Sequence, residues 1–248
     1  MKILRYEMKR IWLGRLYPVL LLCNVVYACI WMRESGIAGV GGTAPFSKWT
    51  YLAYCGAMLP AAILTFLLLL ANYYSPKQRK ADILPFASPF TERKLMLIRL
   101  VALLCGFLIL FALEFAVFAV PNILFFQKYT VLLYFAAGLM HMLPALVLSL
   151  GLGSILGKCS NKLIYVLAIL ILTLSLIQPA VPYDLFGNAF FTHYPFTLPL
   201  DAEGEPAYRI VPLWIAARFL YLAAGILLIL LGICRTHKPQ HDRAEAAA

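Results

Sequence analysis

The chain has little charge and no long hydrophilic stretch. Only 13% of its 248 residues are charged and 63% are apolar, whereas soluble domains are about 25% charged. The scarcity of charge excludes an ordinary soluble globule, and the lack of a long polar run leaves no room for a large soluble domain. Any chemistry must therefore lie in a membrane, at its faces, or on another chain.

Recognisable catalytic and metal-binding motifs are also missing from the sequence. Residues 151–160 resemble a phosphate-binding loop only superficially, because no glycine stands five residues before Gly157 and Cys159 replaces the hydroxyl residue. No HExxH or GxSxG motif occurs. We therefore predict a non-enzymatic chain with no catalytic residue, no metal site and no cofactor of its own. Gly153 and Gly157 fit a small-residue contact between helices instead.

Six apolar stretches divide the chain. They are residues 16–32, 51–74, 100–120, 130–156, 163–181 and 211–234. A helix needs about 20 apolar residues to cross a hydrocarbon core of ~30 Å. The pattern predicts an all-α polytopic membrane protein in which six transmembrane helices form a single domain over residues 1–248.

The charges between these stretches predict the orientation. Segments 1–15, 75–99, 157–162 and 235–248 hold sixteen Lys or Arg, whereas segments 33–50, 121–129 and 182–210 hold four. Basic loops stay in the cytoplasm, so we expect both termini on the cytoplasmic side of a bacterial plasma membrane. The net charge of +10 then faces anionic lipid headgroups, and we predict the lipid bilayer rather than nucleic acid as its partner.

Residues 2–13 have the pattern of an amphipathic helix. Leu4, Met8, Ile11 and Trp12 share one face, and Lys2, Arg5 and Lys9 cluster on the other. This predicts an interfacial helix on the cytoplasmic side with its apolar face in lipid. The alternative is an ordinary basic flank before the first span.

The external connection, residues 182–210, contains FGNAFFTHYPFTLPL. It is too apolar for a free loop and too broken by proline for a seventh span. We predict two short re-entrant helices that dip into the outer leaflet and are shielded by protein, as irregular backbone requires at that depth.

Two charges lie inside the spans. Glu114 in the third and Arg218 in the sixth are each about 10 Å below the outer end, at 1.5 Å per residue. Since charges in a membrane are costly, we predict that they form an intramembrane ion pair that acts as a structural clasp. The alternative is that each side chain reaches separately to the outer interface.

The cytoplasmic segment 75–99 reads SPKQRKADILPFASPFTERKLMLIR. A short amphipathic piece around Ile83, Leu84 and Phe86 precedes Ser88 and Pro89, which are typical of the start of a helix. With the interfacial helix, the six spans and the aromatic external connection, this segment resembles the ABC type-2 permease family. Residues 82–85 (DILP), 88–89 (SP) and 92–95 (ERKL) look like that family's coupling segment.

The resemblance implies a permease subunit that forms the pathway of an ATP-driven exporter. A separate ATPase subunit would bind ATP and Mg, and a second permease chain, identical or related, would complete the transporter. The expected substrate is amphiphilic: an antimicrobial peptide, a drug or a lipid-linked molecule. The residues expected to contact the ATPase are Arg79, Lys80, Asp82, Ile83, Leu84, Phe86, Glu92, Arg93 and Lys94. Two alternatives stay open: a non-transporting scaffold or sensor, and a proton-coupled secondary carrier that uses Glu114.

Overall fold

A computed structural model of the chain describes residues 2–75, 92–127, 129–177, 179–200 and 206–234. These residues form helices and connections, with no strand among them. The helices are α1 (Lys2–Trp12), α2 (Leu16–Trp31), α3 (Lys48–Tyr73), α4 (Glu92–Phe126), α5 (Tyr134–Cys159), α6 (Asn161–Leu176), α7 (Asn188–His193) and α8 (Pro212–Cys234). A π-helical turn (Met32–Ile37) continues α2, and 3-10 turns precede α5 (Tyr129–Leu133) and follow α7 (Tyr194–Thr197).

Five helical segments of the described chain are long and apolar enough to cross a membrane. They are Leu16–Ile37, Lys48–Tyr73, Arg93–Phe126, Tyr129–Cys159 and Pro212–Cys234. The prediction of an all-α, multi-pass membrane protein is confirmed at this level. Helix α6 has 16 residues, a length of about 24 Å, and is shorter than the predicted span 163–181. The number of six spans and the cytoplasmic position of both termini therefore stay predictions.

Helix α3 forms the centre of the bundle and contacts α2, α4, α5, α6 and α7. Nearly all of its side chains are buried, so its apolar surface is covered by protein on every side. The helix begins where the Ser47 side chain accepts a hydrogen bond of 3.2 Å from the Thr50 amide, a typical N-cap. Helix α8 packs chiefly against α5 and completes the other side of the bundle.

The two ends of α3 define the two ends of the bundle. We call the end at Tyr73, where α1 and the start of α4 lie, the α1 end, and the end at Trp49 the α7 end.

The predicted small-residue contact at Gly153 and Gly157 of α5 is confirmed. An ideal Cβ atom at Gly153 would lie 2.8 Å from a Leu70 methyl group, and one at Gly157 would lie 2.5 Å from the Tyr74 ring.

Helix α1 confirms the predicted amphipathic helix, but its apolar face does not lie in lipid as predicted. Leu4, Met8 and Trp12 pack against the core of the bundle, in which Ile11 is itself buried. Helix α1 contacts α4 and, less extensively, α2. The apolar stripe is covered by protein because these helices supply an apolar surface at the same level.

The connection between α6 and α8 is folded into the bundle. Its described residues form one short α-helix, α7, followed by a 3-10 turn, where two short helices were predicted. Phe190 and Phe191 of α7 are buried and pack with Trp49 of α3 and Trp214 of α8. The prediction of shielded, irregular backbone in this region is consistent with that arrangement, although the second helix is a single turn.

Candidate functional site

Most of the predicted ATPase-contacting residues lie outside the described chain. These are Arg79, Lys80, Asp82, Ile83, Leu84 and Phe86. Residue 92 begins α4, and Arg93 and Lys94 are exposed in its first turn. The end of the predicted coupling segment is therefore continuous with a membrane-length helix.

A buried carboxylate organises the α1 end. Glu7 of α1 is 3% exposed, and its Oε1 accepts a hydrogen bond of 3.1 Å from Arg10 Nη1. The same oxygen lies 3.5 Å from Nε of Arg99 on α4. The Tyr73 ring at the end of α3 has the Arg10 guanidinium 4.7 Å and the Arg99 guanidinium 5.0 Å from its centroid. We call Glu7, Arg10, Tyr73 and Arg99 the Glu7 cluster.

The Glu7 cluster joins three helices, two of which, α3 and α4, precede and follow residues 76–91 in the chain. Tyr73 is the last residue of α3, and Arg99 lies in the second turn of α4. Helix α1 is thus connected through charge and cation–π contacts to both helices that flank that segment. The sequence analysis did not predict this cluster. The feature that could have indicated it is that residues 1–15 contain five Lys or Arg and a single acid, Glu7.

The predicted ion pair between Glu114 and Arg218 is not formed. Arg218 is 1% exposed, and its guanidinium donates to the carbonyl oxygens of Leu185 at 2.7 Å and Asp184 at 2.9 Å. Within the described residues, neither carboxylate oxygen of Glu114 has a hydrogen-bond partner. The prediction was wrong because backbone carbonyls of the connection between α6 and α8, rather than an acid on another helix, accept the hydrogen bonds of Arg218.

Arg218 instead fixes a tight turn that leads into α7. The Asp184 carboxylate accepts a hydrogen bond of 2.6 Å from the Gly187 amide. Gly187 has φ +74°, and an ideal Cβ there would lie 2.7 Å from Cε1 of His141, so the turn requires glycine. The clasp predicted for Arg218 therefore exists with a different partner, and it holds the connection between α6 and α8 against α5 and α8.

Aromatic rings surround this clasp. The His141 ring stacks on Trp214 at 5.8 Å, and the Arg218 guanidinium lies 5.3 Å from the Trp214 ring centroid. Neither ring nitrogen of His141 has a hydrogen-bond partner in the part of the chain that the structure describes. The His141 ring therefore packs between Phe191 of α7 and Trp214 of α8.

A second group of aromatic side chains, around Trp49, lies at the α7 end. The indole nitrogen of Trp49 donates to the Pro206 carbonyl at 3.2 Å, and its ring lies 5.0 Å from that of Tyr208. Lys48 Nζ is 4.9 Å from the Tyr208 ring centroid. Partial burial raises the pKa of Tyr208 to about 12, so its phenol stays neutral at physiological pH and offers an aromatic face to the lysine.

Glu114 lies in an aromatic environment toward the α7 end of the bundle, beside the second turn of α3. It is 2% exposed, and the Tyr54 hydroxyl donates to its backbone carbonyl at 2.9 Å. The Phe118 ring, one turn along α4, is 5.3 Å from the Tyr54 ring and 5.0 Å from the Tyr51 ring. The sequence signal for this group was the spacing of Tyr51 and Tyr54, which places both rings on one face of α3.

Comparisons with protein-family models, with curated proteins and with solved structures found no match to this chain. Among the described residues, no group of three or more His, Cys, Asp or Glu side chains is arranged to hold a metal ion. The polar groups buried within the described bundle include the Glu7 cluster, the Arg218 clasp and Glu114.

Proposed function

We propose that this chain is the membrane-spanning permease subunit of an ATP-driven exporter of amphiphilic molecules. In this proposal a separate ATPase binds ATP and Mg, two permease chains form the pathway, and residues 79–94 contact the ATPase. The proposal continues the resemblance of the sequence to ABC type-2 permeases. The structural observation that supports it most is the Glu7 cluster, which connects α1, α3 and α4 around the segment 76–91.

In this proposal the Glu7 cluster transmits movement between α1, α3 and α4. A force applied to residues 76–91 acts on the end of α3 and the start of α4, because the chain enters and leaves the segment there. The Glu7 carboxylate ties α1 to Arg99, and the Arg10 guanidinium ties it to Tyr73. The three helices would therefore move together. Since α3 contacts five other helices, its tilt would be passed to the whole bundle.

The surface of the bundle suits an amphiphilic substrate and a partner in the membrane. Helix α2 has one exposed apolar face, formed by Val19, Leu22, Val26 and Ile30. Helix α8 exposes Phe219, Leu220, Leu227 and Leu231 in the same way. Such faces match lipid tails or the spans of a second permease chain, and a molecule moving along them would need substantial apolar surface.

The experiment that tests this proposal is recovery of an ATPase with tagged protein from its native membrane. We expect the wild type to bring down an ATP-binding subunit and Leu84→Asp to lose it, because a charge replaces an apolar side chain at the proposed contact. Lys162→Asp is the matched control, since it adds the same acid at an exposed residue in the first turn of α6, on the same predicted side.

The outcomes separate the alternatives. Loss of the ATPase in both variants would show that added negative charge, rather than residue 84, disturbs the contact. A well-folded wild type that recovers no ATP-binding protein would contradict the exporter and favour the membrane scaffold or sensor.

A further inference from the structure

We infer that Glu114, with the aromatic rings of Tyr51, Tyr54 and Phe118, forms a binding site for the cationic group of an amphiphilic organic cation. This inference deepens the proposed function by naming the substrate class, and it rests on that function only in regarding the bound cation as cargo. The site itself belongs to this chain alone and can be tested without an ATPase.

The Glu114 carboxylate is buried without a hydrogen-bond partner among the described residues. Glu114 is 2% exposed, and neither oxygen has a hydrogen-bond partner within the described residues. A buried carboxylate normally has a cation or several donors beside it, because removing a charge from water is costly. Acidic side chains inside membrane spans commonly mark pathways for ions or substrates. A ligand that carries a positive charge would supply the missing partner.

The aromatic rings of Tyr51, Tyr54 and Phe118 form a cluster beside Glu114. The Tyr54 hydroxyl donates to the backbone carbonyl of Glu114 at 2.9 Å, and the Tyr51 ring stacks on that of Tyr54 with centroids 6.5 Å apart. The Tyr51 and Tyr54 rings lie 5.0 Å and 5.3 Å from that of Phe118, and all three are almost fully buried. The negative face of an aromatic ring attracts a cation, most strongly where water is excluded. The carboxylate and the rings therefore both favour a positively charged ligand.

The chemistry of the site selects an organic cation over a metal ion. Ca²⁺ takes six to eight oxygen ligands and Mg²⁺ prefers a strict octahedron with several waters. Among the described residues, Glu114 belongs to no group of three or more His, Cys, Asp or Glu side chains that could hold a metal ion. An ammonium or phosphonium group with apolar substituents needs no such oxygen shell, and its substituents match the rings. Glu114 and the three rings are almost fully buried in this structure, so a cation enters only when the helices packed around them separate.

The test compares two probes of equal shape and opposite charge, tetraphenylphosphonium and tetraphenylborate. Their binding to the purified full chain in nanodiscs is measured by calorimetry, with empty nanodiscs subtracted. We expect the wild type to prefer the phosphonium. Glu114→Gln, which is nearly isosteric, should weaken phosphonium binding roughly tenfold or more while changing borate binding little. Glu114→Asp keeps the charge and should retain the preference.

Glu34→Gln is the control, since it removes one acid at an exposed residue of the π-helical turn. It should bind both probes as the wild type does. Phe118→Leu provides a second variant that keeps Glu114 but removes a ring, and it should also weaken phosphonium binding. Unchanged phosphonium binding in a folded Glu114→Gln protein, or no preference in the wild type, would overturn the inference. Neither result depends on ATPase recovery, so the exporter proposal stands or falls separately.

Discussion

Replacing Gly225 with alanine is expected to lower the free energy of unfolding by about 1–3 kcal/mol, the usual range for overpacking a close contact. An ideal Cβ at residue 225 would lie 2.6 Å from the Leu148 amide nitrogen and 2.7 Å from the Val147 carbonyl carbon. Both atoms belong to the backbone of α5, which cannot swing aside as a side chain can. The α5–α8 contact therefore has to open, and the Arg218 clasp on α8 shifts with it.

Gly232 on the same helix gives the matched control. The nearest atoms to its ideal Cβ lie 3.7 Å away, in Ile155 and Ser154, which is an ordinary van der Waals distance. Gly232→Ala should leave stability unchanged or raise it slightly, because alanine is the better helix former. Thermal unfolding of both variants in the same lipid would decide the matter. Equal losses of stability would contradict the close approach of α5 and α8 at Gly225.

Replacing Glu7 with alanine is expected to release α1 from the bundle. The change removes the acceptor shared by Arg10 and Arg99 and leaves two guanidinium groups beside the Tyr73 ring without a counter-charge. A hydrogen bond to a charged group contributes about 1.5–3 kcal/mol. Amide hydrogen exchange in α1 should therefore become about 10- to 100-fold faster, because local opening governs that exchange.

Mass spectrometry of exchanged peptides from α1 measures this effect directly. Lys9→Ala is the control, since Lys9 is on the same helix and its side chain is exposed. It should leave the exchange of α1 close to that of the wild type. Unchanged exchange in Glu7→Ala would mean that apolar packing alone holds α1, and the Glu7 cluster would lose its role in joining α1 to α3 and α4.

The membrane class of the fold could be predicted from the sequence because long apolar runs determine it. The bounds of the helices were harder to predict. Helix α4 (Glu92–Phe126) extends beyond the apolar stretch 100–120 at both ends, because polar residues such as Arg93 and Lys94 continue the helix; the predicted start at Ser88 and Pro89 lies outside the described residues. Helix α6 ends at Leu176 shortly before Pro179, whose ring disfavours helix in the residue before it. Apolar character therefore marks the buried part of a helix, not its full length.

The sites depended on information that one sequence does not contain. The depths of Glu114 and Arg218 along their helices could be counted, but the direction in which each side chain points around the bundle could not. The partners of Arg218 are backbone carbonyls, which every residue carries and no motif reveals. The Glu7 cluster likewise required knowing that α1 lies against α4. Its residues are separated by up to 92 positions in the chain.

The most direct test of the central claim is the composition of the complex in which this chain works. Native mass spectrometry of the wild-type protein, extracted with lipid from its own membrane, counts the subunits and shows whether a partner binds ATP. We expect two permease chains together with two ATP-binding subunits, and the loss of those subunits when the detergent is strong enough to separate the assembly. A complex that contains this chain with no ATP-binding partner would contradict the proposed exporter.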